Sequence, residues 1–142
     1  MQKDYFEGFC REIVACNQSI RFAGIANHLG SLIATQYREG LIPLMTKEET
    51  SQYSIQAVLR AATREDFEAK IGRLEYSIGK YEKLIRATIP IIFTNNEGKR
   101  FYLLLSFDAD SDAKSIIDNV IMPHVIKNKK YFFNYPYPDP KV

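Results

Sequence analysis

Residues 20–37 read IRFAGIANHLGSLIATQY. Residues 19–26 and 31–38 each alternate with a period of two, and the four residues between them, 27–30, have turn formers at both ends. Alternation interrupted by such a turn is typical of a β-hairpin. We expect one face of the first strand to carry Ile20, Phe22, Gly24 and Ala26, and the other to carry Arg21, Ala23 and Ile25. The many small residues of this pair indicate that another element packs closely on it.

Two predicted helices flank the hairpin. Residues 2–16 carry an apolar stripe at helical spacing, formed by Phe6, Phe9, Cys10 and Ile13. Beyond the hairpin, Thr46 and Glu49 fit a capping box that opens a second helix. The stripe that this helix turns toward the core is expected to be Ile55, Val58, Leu59 and Ala62. A short helical segment should follow and end near Gly72.

The sequence after Leu74 changes to strand periodicity. Leu74, Tyr76 and Ile78 alternate with polar residues, and Gly79-Lys80 predicts a turn. Residues 81–93 then predict a long strand. Pro90 within it should lie at a sheet edge or a bulge, because proline cannot donate a hydrogen bond to a neighbouring strand.

The last predicted elements are a strand and a helix. A cluster of turn formers at 95–98 precedes residues 101–107, the most apolar strand, which we place at the centre of the sheet. The final helix has apolar residues at Ile116, Ile117, Val120 and Ile121. Pro123 should kink this helix or start a new turn.

The predicted element order is therefore α-β-β-α-β-β-β-α. Five strands in two hairpin-linked groups imply a single five-stranded antiparallel sheet, and about three helices must cover its faces. The fold class expected is α+β. We assign residues 1–130 to this domain and residues 131–142 to an aromatic, proline-rich C-terminal tail.

Composition narrows the classes of function. The chain has 142 residues, 46% of them hydrophobic, which argues against intrinsic disorder. Lys and Arg number 19 against 17 Asp and Glu, so a strongly basic nucleic-acid binder is not indicated. Cys10 and Cys16 are too few for a disulfide scaffold, and their spacing fits neither a redox pair nor a zinc pair. With no signal peptide pattern and no apolar run of about 18 residues, we expect a cytoplasmic protein outside the membrane.

The element order resembles the roadblock (dynein light chain-like) fold, which is related to longins and profilins. The resemblance rests on the small-residue strand 20–26 leading into 27–30, the capped helix after the hairpin, and the three-strand meander followed by a helix. The stretch 60–90 also resembles short archaeal proteins of unknown function. This resemblance implies a non-enzymatic, homodimeric adaptor or regulator that docks a small GTPase or another protein. It supplies no catalytic residue and no cofactor.

The sequence leaves other functions open. A PAS-like small-molecule sensor would also use an antiparallel sheet, and the small residues of the first hairpin could line its pocket. An enzyme is disfavoured, because the chain contains no phosphate-binding glycine motif and no nucleophile elbow. We therefore predict no catalytic residue.

Two groups of residues are candidate sites. Asp108, Asp110 and Asp112 could hold Mg²⁺ or Ca²⁺, although carboxylates at this position also cap a helix N-terminus. The tail concentrates aromatic side chains that are costly to expose to water, and we expect them to pack or to bind a partner. They are Tyr131, Phe132, Phe133, Tyr135 and Tyr137. Lys127, Lys129 and Lys130 precede them but are too few to predict a nucleic-acid partner.

Overall fold

The computed structural model describes residues 2–92 and 100–128, so the turn predicted at 95–98 and the tail lie outside the described residues. The elements in chain order are α1 (Gln2–Ala15), β1 (Ile20–Ala26), β2 (Leu32–Tyr37), α2 (Lys47–Glu65), α3 (Glu68–Ile71), β3 (Ser77–Lys80), β4 (Leu84–Ile92), β5 (Arg100–Asp108), α4 (Ala113–Ile116) and α5 (Met122–Lys127). A π-helical segment, Ile117–Ile121, joins α4 to α5. We call α4, this segment and α5 together the C-terminal helix.

The five strands form one sheet in the order β2-β1-β5-β4-β3, and every neighbouring pair is antiparallel. The predicted fold class, α+β with a single five-stranded antiparallel sheet flanked by helices, is confirmed. The central position predicted for residues 101–107 is also confirmed, because β5 pairs with β1 on one side and with β4 on the other.

Helices cover both faces of the sheet. Helix α1 and the C-terminal helix lie on one face and share the larger core with every second residue of β5, from Phe101 to Phe107. Helix α2 lies on the other face and forms a smaller core. Its buried members are Phe22, Ala26, Tyr53, Ala57, Val58, Ala61, Tyr102 and Leu104. Because apolar layers cover both faces of the sheet, β5 must be apolar at its odd-numbered and its even-numbered positions, as its sequence is.

The first hairpin forms as predicted, but one strand face differs. Ile20 was expected to share a face with Phe22, whereas Ile20 lies in the larger core and Phe22 in the smaller one. The cause is a register shift between these two residues in the pairing of β1 with β5. A bulge adds one residue to one strand, so side chains on either side of it change face.

Strand β3 is shorter than predicted and lies further along the chain. Gly79 and Lys80 belong to the strand instead of a turn, and the chain reverses after Lys80, where the Tyr81 N–H donates to the Leu84 carbonyl at 2.8 Å. Leu74 and Tyr76 pack against opposite cores, so they do not form one strand face despite their spacing. The prediction for Pro90 is confirmed, because β3 pairs with β4 only as far as Thr88 and leaves that side of Pro90 at an edge.

The stripe predicted to face the core from α2 is wrong at three of its four positions. Val58 is buried, but Ile55, Leu59 and Ala62 are exposed. The buried side chains are instead Tyr53, Ser54, Ala57, Val58 and Ala61. Two of these are alanines, which let the helix backbone approach the sheet closely. The capping box itself is confirmed: Thr46 Oγ1 accepts from the Glu49 N–H, and the Glu49 carboxylate accepts from the Thr46 N–H.

The C-terminal helix continues through Pro123 by changing its hydrogen bonding. The Met122 N–H donates to the carbonyl of Ile117, five residues earlier, which is the π-helical pattern. Proline has no N–H to give to the carbonyl four residues earlier. The wider turn just before Pro123 accommodates this loss, and Pro123 then stands in the first turn of α5.

Gly30 provides a test of how closely the β1–β2 turn approaches α2. Its φ is +85°, and an added Cβ would lie 2.7 Å from Ile55 Cα. We expect Gly30→Ala to lower the free energy of unfolding by about 2–4 kcal/mol, through backbone strain and displacement of the helix. Gly40→Ala is the matched control, because Gly40 has φ +78° but no atom within 4 Å of an added Cβ. Its expected loss in urea unfolding is about 1 kcal/mol. Equal losses for the two variants would contradict the close contact.

Candidate functional site

Helix α2 presents apolar side chains to solvent. Ile55 and Leu59 are spaced one helical turn apart and are 54% and 66% exposed. Leu29, in the turn between β1 and β2, is 70% exposed. It directly precedes Gly30, which lies against the Ile55 backbone. We call Leu29, Ile55 and Leu59 the α2 patch. Grouped exposed apolar residues are typical of surfaces that bind another protein.

Hydrogen bonds hold the two parts of the α2 patch in place. The Ser54 hydroxyl is fully buried and donates to the Gly30 carbonyl at 2.7 Å. Within the turn, Asn27 Oδ1 accepts from the N–H groups of Leu29 and Ser31 at 2.9 and 3.0 Å. These hydrogen bonds hold the turn in one conformation and join it to α2. Both parts of the patch therefore form one rigid surface.

The C-terminal end of α2 is held by charged groups. Arg100 contacts the Glu65 carboxylate at 3.1 Å and the Glu68 carboxylate at 3.0 Å, while the Tyr102 hydroxyl donates to Glu65. The hydrogen bond from Arg100 lowers the pKa of Glu68. Burial, together with the Glu65 charge, raises the pKa of Tyr102. Tyr102 therefore stays a neutral donor, and this network fixes α2 and α3 to β5.

Strand β3 is the second exposed feature. Among the described residues it pairs only with β4, and it forms one edge of the sheet. Its residues Ile78, Gly79 and Lys80 are exposed. An edge strand presents unpaired N–H and carbonyl groups that can pair with another strand. The α2 patch and the β3 edge are two surfaces of this fold suited to protein association.

The three aspartates considered as metal ligands do not converge. Asp108 pairs with Arg38 at 2.9 Å and with Arg21 at 3.4 Å. Asp112 accepts from the Ser115 N–H at 3.2 Å and so caps α4, in agreement with the capping interpretation, while Asp110 is exposed. Within residues 2–92 and 100–128, no three Asp, Glu, His or Cys side chains are grouped as metal ligands would be.

Asp108 instead ties together the ends of three strands. The hydrogen bond from Arg38 is the main cause of its lowered pKa, and Arg21 adds to it. Arg38 directly follows β2, Arg21 lies in β1 and Asp108 ends β5. The arrangement is structural, because both positive charges are directed at a carboxylate of the protein itself.

Cys10 and His124 have packing roles. Cys10 is fully buried, and burial raises the pKa of its thiol to about 12, so it remains a neutral thiol at physiological pH. The His124 ring stacks on Phe9 with centroids 5.3 Å apart, and its Nε2 lies 3.1 Å from Glu12. Cys10 and Cys16 are both free. The tail residues Tyr131, Phe132, Phe133, Tyr135 and Tyr137 lie outside the described residues.

No helix in the described part of the chain combines the length and apolar character that crossing a membrane requires.

Comparison with known proteins identifies the fold. No protein-family model and no curated protein sequence matches this chain. Solved structures do match it. A Roadblock/LC7 domain from Streptomyces avermitilis has a TM-score of 0.67 and 9% identity, covering 90% of this chain and 98% of that chain. MglB from Myxococcus xanthus has a TM-score of 0.64 and 12% identity, over 96% and 95%.

A further match is an MglB structure described as having a tetrameric arrangement, with a TM-score of 0.68 and 12% identity over 93% of this chain and 88% of that one. The chain therefore has the fold of roadblock/LC7 domains, as the element order predicted. The resemblance of residues 60–90 to archaeal proteins stays a prediction.

The sequence pattern did not predict the α2 patch, because Ile55 and Leu59 were placed on the core-facing side of the helix. A signal was present: Tyr53, Ala57 and Ala61 form a competing stripe at i, i+4 and i+8, with two alanines suited to close helix–sheet contact. Helix α2 therefore carries two apolar stripes. Only one of these stripes can face the sheet, so the other is exposed to solvent.

Asp108→Asn tests the strand-end ion cluster. Because the folded-state pKa of Asp108 is lowered, its stabilising contribution is present above the unfolded pKa of about 3.9 and is lost as the pH falls through the lower folded value. We expect the variant to be less stable than the native protein by about 1 kcal/mol at pH 7, since the carboxylate is partly exposed. The difference between the two melting temperatures should shrink as the pH falls below about 3.9.

Asp110→Asn is the control for this measurement, because Asp110 is exposed and has no ion pair among the described residues. A stability difference for Asp108→Asn that stays constant from pH 7 to pH 3 would contradict the role assigned to the ion cluster.

Proposed function

We propose that this protein is a non-enzymatic adaptor or regulator of the roadblock type that functions as a homodimer. The observation that carries the proposal is the α2 patch, a rigid apolar surface on a fold shared with Roadblock/LC7 domains and MglB. No catalytic constellation occurs among the described residues that would favour an enzyme. The similarity to these domains also favours an adaptor over a PAS-like sensor.

A second copy of the chain is the occupant we assign to the α2 patch. In a two-fold dimer a surface meets its own copy, so it must be self-complementary and free of opposed like charges. The outward residues nearest to Ile55 and Leu59 are uncharged: Ser51, Gln52, Gln56, Ala62 and Thr63. The acidic residues of this face, Glu48 and Asp66, lie at the two ends of the helix. Two such helices can therefore pack around Ile55 and Leu59 without like charges at the centre of the contact. The β3 edge could extend the sheet in the same assembly.

The partner expected for the dimer is a small GTPase or another regulatory protein in the cytoplasm. Support comes from the fold alone, through its similarity to MglB and Roadblock/LC7 domains. The free thiols of Cys10 and Cys16 are consistent with a reducing compartment. Binding to purified small GTPases loaded with GTP or GDP tests this part, and a regulator should distinguish the two nucleotide states.

Leu59→Lys tests the dimer. We expect the native protein to be a dimer at micromolar concentration by light scattering. The substitution should raise the dimer Kd about tenfold or more, because it brings a lysine ammonium into an apolar contact next to its own copy. Helix stability should change little, since Leu59 is exposed.

Ile126→Lys is the matched control for this experiment. Ile126 is 65% exposed, close to the 66% of Leu59, but it belongs to the C-terminal helix on the opposite face of the sheet. It should leave the dimer intact. A native protein that is monomeric at these concentrations, or equal effects of the two substitutions, would overturn the assignment of the α2 patch.

The aromatic tail is proposed as a second interaction element, comprising Tyr131, Phe132, Phe133, Tyr135 and Tyr137. Replacing all five with Ser keeps the chain length while removing the apolar surface. We expect the melting temperature of the domain to remain within a few degrees and the affinity for the second copy or the partner to fall. Replacing Lys129 and Lys130 with Gln is the control. A large loss of melting temperature with unchanged binding would show that the aromatic residues pack within their own domain.

A further inference from the structure

A polar cleft separates the C-terminal half of α2 from strands β3 and β4. Its volume is about 160 Å³, and it opens to solvent. Arg60 and Arg64 line it from the helix, and Arg86 lines it from β4. Ser77 of β3 and Tyr81, just beyond β3, complete the side opposite the helix. The cleft is separate from the α2 patch, which faces away from the strands.

Helical periodicity explains why the arginines of α2 point the same way. Tyr53, Ala57, Arg60 and Arg64 follow one another at i, i+4, i+7 and i+11, which places them along one flank of the helix. The first two are buried against the sheet, and the last two are exposed and line the cleft. Both guanidinium groups therefore face the cleft.

Arg86 lines the cleft from β4, and neighbouring side chains hold it in place. Its guanidinium carbon lies 3.6 Å from the centroid of the Tyr53 ring and 5.6 Å from that of Tyr81. It also contacts the Met45 sulfur. A guanidinium stacked on an aromatic face keeps its N–H groups at its edges, where they remain available to an anion.

The charge of these three arginines is not balanced by the protein around them. None of the residues lining the cleft is acidic. In the part of the chain that the structure describes, no carboxylate lies within ion-pair distance of Arg60, Arg64 or Arg86. By contrast, Arg21, Arg38 and Arg100 each have an acidic partner. Three like charges in one concave site attract an anion.

We propose that the cleft between α2 and strands β3 and β4 binds the phosphate group of a small molecule. A phosphate dianion presents more acceptor oxygens and more charge than a carboxylate, and three guanidinium groups with adjacent hydroxyls supply more donors than a carboxylate can use. The Ser77 hydroxyl is placed to add a further hydrogen bond. The proposal concerns a site separate from the α2 patch and does not depend on the homodimer.

Calorimetric titration with inorganic phosphate, at constant ionic strength in chloride, tests the proposal. Acetate serves as the carboxylate probe in the same buffer. We expect phosphate to bind and acetate to bind more weakly. Arg60→Gln and Arg64→Gln should each weaken phosphate binding about tenfold or more, because each removes a charge-assisted hydrogen bond. Both arginines are exposed, so neither substitution should impair folding.

Arg11→Gln is the matched control, because it removes the same charge from α1 on the opposite face of the sheet and should leave the affinity unchanged. Phosphate affinity that is insensitive to Arg60 and Arg64, or equal affinity for acetate, would overturn the proposal. So would Arg60→Gln and Arg64→Gln variants that lose self-association or partner binding while the native protein binds no phosphate. That result would make the cleft a contact for a protein carboxylate.

Discussion

Burial of β5 on both faces is the constraint on which the rest of the molecule depends. From Phe101 to Leu105 every side chain is buried, the odd positions under α1 and the C-terminal helix and the even positions under α2. A strand with two apolar faces needs a helical layer on each side and a hydrogen-bonded neighbour along each edge. Strands β1 and β4 supply those neighbours, and β2 and β3 become the edges. The surfaces assigned to protein association and to anion binding lie on the helices and edge strands that surround β5.

Much of this arrangement is readable in the sequence because it is local. The apolar character of 101–107 predicted the central strand, and Thr46 with Glu49 predicted the start of α2. The errors arose where tertiary contacts decide between equivalent local patterns. Helix α2 carries two apolar stripes, and only packing on the sheet selects the one with Ala57 and Ala61. Likewise, the bulge that turns Ile20 away from the face of Phe22 depends on register with a strand that is distant in the sequence.

The candidate sites also divide into those that local sequence predicts and those that only tertiary contacts form. Asp112 caps the helix that begins at the next residue, and the position of the carboxylates before a predicted helix revealed that possibility. Asp108 meets Arg21 and Arg38 across three strands, and Arg86 meets Arg60 and Arg64 across a helix and a strand, so no window of sequence contains either group. Both groups contain arginines, but the charges around those arginines differ. Two arginines share a carboxylate at the strand ends, whereas three share none at the cleft among the described residues.

The π-helical turn before Pro123 has a consequence for the length of the chain. Such a turn holds one residue more than an α-helical turn but spans nearly the same angle, so the extra residue is absorbed and α5 keeps its rotational phase relative to α4. If Ile117–Ile121 formed a regular α-helix with the same number of residues, α5 would rotate by about 100° about its axis and Val125 would leave the larger core. Deleting one residue within this segment and restoring α-helical geometry would instead keep Val125 in the core. The C-terminal helix can therefore change its length by one residue here without losing the packing of α5.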